Sequence, residues 1–107
     1  MRGILVVVLM AIGAFIFAPS AGADVGSYIM RLDSRGVLYE DTAEVVETGK
    51  ATCHHLRKGI SVGGVMGGLE SLGYTLDEQV IIISAATHEL CPDQVQRVVD
   101  FGNGIGT

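Results

Sequence analysis

YTLDEQVIIISAATHELCP, residues 74–92, holds the densest apolar run of the chain downstream of its amino-terminal segment. Thr75-Leu76-Asp77-Glu78 reads as a T-x-x-E capping box, and Tyr74 stands before the cap in staple position. The spacing predicts a helix with Leu76, Val80, Ile83, Thr87, Leu90 and Cys91 as its inward stripe. Ile81 and Ile82 fall outside that stripe, which makes the helix apolar almost all round for one turn. A helix of that kind is buried by several neighbours, so this one is expected at the centre of the fold. Val80 to Ile83 is β-branched throughout and also suits a strand. The capping box, Ala85-Ala86 and the absence of a partner strand elsewhere favour helix. Pro92 ends it.

The chain of 107 residues is long enough for one domain. Its start has the form of a secretory signal peptide. Arg2 is followed by the apolar run Ile4 to Ala18, Pro19-Ser20 breaks the run, and Ala21-Gly22-Ala23 supplies small residues for cleavage after Ala23. At about 15 residues the run is shorter than the ~20 a spanning helix needs, and no basic stop-transfer cluster follows it. A leader over 1–23, a domain over 24–101 and a Gly-rich tail over 102–107 are therefore expected. The destination is the cell envelope or the medium, with no stable membrane anchor after cleavage. The formal charge of −5 becomes −6 when Arg2 is lost, and the remaining basic residues are scattered. That balance argues against nucleic acid or an anionic membrane as partner, because phosphates require clustered Lys and Arg.

An exported domain of this size sits near the lower limit for an unaided core. Its two cysteines, Cys53 and Cys91, are expected to pair. In the chain-entropy model such a crosslink contributes about 4 kcal/mol.

Three helices precede the central one. Asp24 caps the first, through Val25, Tyr28, Ile29 and Leu32, and Gly36 ends it. Asp41 opens the second, whose inward face carries Val45, Gly49, Thr52, Cys53 and Leu56 and which stops at Gly59. Ser61 caps the third, with Val62, Val65, Met66, Leu69 and Leu72 as its apolar face and Gly73 as its stop. Gly63, Gly64, Gly67 and Gly68 weaken that helix by about 1 kcal/mol each relative to Ala. Their spacing admits close approach of another helix. A short last helix over Asp93 to Phe101 packs back through Val95, Val98 and Val99. The expected architecture is all-α, a small bundle of four to five short helices stapled by one disulfide.

The residue contexts Gly49-Lys50-Ala51-Thr52-Cys53 and Glu89-Leu90-Cys91-Pro92, with the Ser-initiated helix and Leu76-Asp77-Glu78-Gln79 between them, resemble a known family. It is the small exported mycobacterial family of unknown function numbered seven hundred and thirty-two. The resemblance covers roughly Val25 to Val99. It implies a helical domain with a Cys53–Cys91 disulfide, exported by an actinobacterium, and it brings no activity.

Chemistry has few candidates. Ser84 and His88 are i, i+4 on the central helix, but no G-x-S-x-G elbow is present and Ser84 falls on the inward side. The carboxylate pairs Asp77-Glu78 and Glu40-Asp41 are accounted for by helix starts. Cys53, His54, His55, His88 and Cys91 are zinc-ligand types, yet a disulfide removes both sulfurs. An enzyme is not expected, nor a bound cofactor. The expected function is a non-catalytic binding or interaction module for a protein or small apolar ligand. Ile81, Ile82, His88 and the glycine face of the third helix are the candidate contacts, either for that ligand or for a homodimer. The alternative is a haem or metal carrier using His88 or His54, with Tyr28, Tyr39 or Tyr74 as second haem ligand.

Overall fold

The computed structural model describes residues 24–104. The expected leader (1–23) and the end of the expected tail (105–107) lie outside the described residues. Five α-helices follow one another: α1 (Val25–Ser34), α2 (Thr42–Arg57), α3 (Val62–Ser71), α4 (Leu76–Glu89) and α5 (Val95–Gly102). A 3₁₀ turn, Pro92–Gln94, joins the last two. There is no strand among the described residues.

The starts are set by the side chains anticipated for them. Asp24, Asp41 and Ser61 accept from Ser27 N, Ala43 N and Gly64 N. Thr75 and Glu78 form the reciprocal box: Thr75 N donates to Glu78 Oε1 at 2.9 Å, and Glu78 N to Thr75 Oγ1 at 3.3 Å. Helices α2 and α3 stop at Gly59 and Gly73, whose φ angles of +92° and +97° lie in the left-handed region. The closing pattern is the same at both: Ile60 N donates to His55 O and Gly59 N to Leu56 O, then Tyr74 N to Leu69 O and Gly73 N to Glu70 O.

Helix α4 packs against α1, α2, α3 and α5, and no other helix touches all the rest. It buries Gln79, Ile82, Ile83, Ala85, Ala86 and Thr87. Around it lie Tyr28 and Leu32 of α1, Val45, Cys53 and Leu56 of α2, and Val62, Val65 and Leu69 of α3. No side-chain nitrogen or oxygen buried among the described residues lacks a hydrogen-bond partner.

The inward face of α2 is the one expected: Val45, Gly49, Thr52, Cys53 and Leu56 are all buried. The stripe of α4 requires correction. Ile83, Thr87, Leu90 and Cys91 are buried as expected, but Leu76 is 64% exposed and Val80 53% exposed, whereas Ile82, placed outside that stripe, is fully buried. The true face is turned by about one residue and includes Gln79, whose Nε2 donates to Tyr74 O at 2.8 Å. That bond satisfies the amide within the core and lets α4 present Ile82 and Ala86 to its neighbours. Leu72, expected on the apolar face of α3, is 65% exposed. Val99 of α5 also faces outward, while Val98 packs on the core.

One end of α4 collects most of the long-range ties. Asp24 N donates to Glu89 O at 3.0 Å, and Arg31 pairs with Glu89. Cys91 is bonded to Cys53. Arg57 grips Asp93 through two hydrogen bonds of 3.0 and 2.7 Å. Arg97 of α5 donates to Leu56 O, and at 2.7 Å to Ile60 O, which fixes the turn between α2 and α3.

Candidate functional site

Beside its buried face, α2 presents a second stripe: Glu44, Glu47, Thr48, Ala51, Thr52 and His55. These residues follow helical spacing and form one wall of an open groove of about 490 Å³. The facing wall is α3, through Gly64, Val65, Gly68, Leu69, Ser71 and Leu72, with Ile60 at the far end. The threonines contribute little polarity. Thr52 Oγ1 donates to Thr48 O at 2.9 Å and Thr48 Oγ1 to Glu44 O at 3.0 Å. Both hydroxyls are turned to their own backbone, which leaves the methyl groups as the rest of the wall.

The glycines of α3 divide into two kinds. A β-carbon on Gly64 would meet Ile60 Cγ2 at 3.0 Å and Ser61 Oγ at 3.2 Å, and one on Gly63 would lie 3.9 Å from Phe101. At Gly67 and Gly68 it would meet nothing within 4 Å. The close helix approach expected from the glycine spacing is made by no described element at those two positions.

A second opening, of about 600 Å³, adjoins the first and shares Glu44 and Leu72 with it. Its lining includes Leu38, Glu40, Asp41, Tyr74 and Glu78. Leu38 is 83% exposed. The two openings together carry five carboxylates and no Lys or Arg. Lys50 approaches Glu47 at 3.8 Å from outside the groove. Among the described residues no basic side chain pairs with Glu40 or Glu44.

The disulfide is as expected. Cys53 and Cys91 are joined, with Cα atoms 5.8 Å apart, and both are buried. Both sulfurs lie within 3.7 Å of Ala86 O, against the last turn of α4. The other candidates are dispersed. His54 and His55 are exposed on α2 with ring centres 5.8 Å apart, and His88 is exposed on α4. Among the described residues no three His, Cys, Asp or Glu side chains gather in a way that could hold a metal ion. Tyr28 is fully buried, and its hydroxyl donates to Val45 O at 2.9 Å. Tyr39 donates to Asp33 at 2.8 Å. Ile81 is half-buried and borders a small cleft of about 170 Å³ with Arg31, Ser34, Arg35, Val80 and Ser84. Ile82 belongs to the core and is no surface contact of the folded domain.

Sequence reasoning pointed to the glycine face of α3 but missed the α2 wall. The signal was there, in small residues at 48, 51 and 52 following outward acids at 44 and 47. It was obscured because 52 also belongs to the buried stripe.

These features define a disulfide-stapled, all-α domain of five short helices with an open groove between α2 and α3. The chain belongs to the family described as protein of unknown function, DUF732, whose model matches residues 23–93. The match includes both cysteines and the whole groove and stops before α5. No curated protein and no solved structure matches the chain.

Proposed function

We propose that this is an exported, non-catalytic binding module whose recognition surface is the groove between α2 and α3. The observation that carries the reading is Gly68, in the wall of the groove. It weakens α3 by about 1 kcal/mol relative to Ala, and no packing among the described residues requires it. Small residues beside an apolar groove leave room for something that approaches α3 from outside. Export is supported by the leader-like start and by a buried disulfide, a crosslink of oxidising compartments.

The test is an NMR titration of the oxidised ¹⁵N-labelled protein with Nile red, a neutral apolar probe. Shifts are expected at Ala51, Val65, Gly68 and Leu69, and they should vanish in Gly68→Leu, whose side chain enters the groove from a β-carbon with nothing within 4 Å. Shifts confined to the Ile81 cleft, or none, would remove the groove from consideration. Amino-terminal sequencing of the secreted protein tests processing, with Asp24 expected as the first residue.

A further inference from the structure

We infer that the occupant of this groove is a short helix of a partner protein that presents an apolar face flanked by lysine or arginine. The inference rests on the groove reading above and adds the partner's class. From Glu44 to His55 the groove follows twelve residues of α2, which is ~16 Å or three helical turns. Its floor is mostly apolar, through Ala51, Ile60, Val65, Leu69 and Leu72, and its α3 side includes the bare backbone at Gly68, a surface against which a helix can lie closely.

Charge selects among occupants. The five carboxylates, Glu40, Asp41, Glu44, Glu47 and Glu78, line the two openings, which adjoin at the Glu44 and Leu72 end of the groove. A second copy of this chain laid in the same trough would bring five more to that place, and like charges so placed cost binding energy. Nucleic acid and anionic lipid are repelled for the same reason. A helix with basic residues at that end and leucine-like residues along the groove meets both requirements. Its recognition follows the helix-in-groove mode, with anchors at i, i+3 or i+4, and i+7.

The experiment is a selection from a display library of three-turn helices. Leucines are fixed along one face and the flanking positions are randomised. The oxidised protein is the bait and its Gly68→Leu variant the counter-selection. Retained peptides are expected to be rich in Lys and Arg. Glu44→Gln/Glu47→Gln should weaken them about tenfold, and added salt should weaken them in the wild type far more than in that variant. Neutral or acidic peptides that bind and are lost with Gly68→Leu would overturn the charge inference and leave the groove reading in place. If no helix is retained while Nile red still maps to the groove, the partner class is wrong and the groove stands. If neither binds there, both ideas fall.

Discussion

The ring of Tyr28 lies directly on the backbone of Gly49. A β-carbon at Gly49 would sit 2.6 Å from Tyr28 Cζ, 2.7 Å from its hydroxyl oxygen and 3.0 Å from Leu90 Cδ1. The ring cannot retreat, because it is fully buried and its hydroxyl is bonded to Val45 O. This contact sets the spacing of α1 and α2, and it gives Gly49 a reason to stand in the middle of a helix.

Gly49→Ala should therefore destabilise the domain. Helix propensity returns about 1 kcal/mol, but forced repacking costs about 1–3 kcal/mol and disturbs the Tyr28 bond as well. Gly67→Ala and Gly68→Ala should act oppositely, each stabilising by about 1 kcal/mol where the added methyl has open space. Urea unfolding of the three variants checks the pair of claims. A Gly49→Ala protein as stable as wild type would refute the contact.

Burial pushes the Tyr28 phenol well above its ordinary value, with nearby Tyr74 adding to the effect. The folded state thus keeps Tyr28 neutral where the unfolded chain ionises it. Its contribution is complete below about pH 10 and declines above it, by up to ~1.4 kcal/mol per pH unit. Tyr28→Phe should lose about 1 kcal/mol near neutrality with the hydrogen bond, yet lose less than wild type as pH rises further. Tyr39, half-buried and also raised, by its bond to Asp33, supplies a comparison through Tyr39→Phe. Parallel alkaline curves for wild type and Tyr28→Phe would contradict this.

The protein should contain no reactive thiol, by mass and by thiol titration without denaturant. Both half-cystines are buried, so reductant should act chiefly through unfolded molecules. Cys53→Ala/Cys91→Ala is expected to lose about 2–5 kcal/mol, measured by thermal or urea unfolding.

Arg57 ties the end of α2 to the 3₁₀ turn. Its two hydrogen bonds, helped by Gln94, hold the Asp93 carboxyl well below the usual carboxylate range. The sign is that of a depressed acid: the tie contributes above about pH 4 and fades as pH falls through the lowered value. Asp93→Asn should be less stable than wild type at neutrality, and the gap should close on acidification. A gap that persists in acid would show that Asp93 acts by packing rather than charge.

The boundaries of the first four helices were legible because each is written locally, whereas α5, expected from Asp93, starts at Val95 after the 3₁₀ turn and has no side-chain cap. Asp24, Asp41, Ser61 and Thr75 cap, Gly36, Gly59 and Gly73 stop, and Pro92 breaks. The inward face of α2 was legible because its polar residues leave one phase. The phase of α4 was not. Val80 to Ile83 is apolar at four consecutive positions, so periodicity cannot choose among rotations there. The choice was made by Gln79, which finds Tyr74 O across the start of the helix. Groove formation was half legible, since glycine spacing marks a bare helix face without naming what stands opposite.

The ties gathered at the end of α4 give the domain a locked pole, where Asp24, Arg31, Cys53 and Arg57 all converge. The groove residues Gly64, Gly68 and Leu72 sit on the α3 side, outside that lock. Substitution at their outward positions leaves the clasp intact. The outward positions of α3 can therefore be exchanged without touching any of the ties that hold the fold closed.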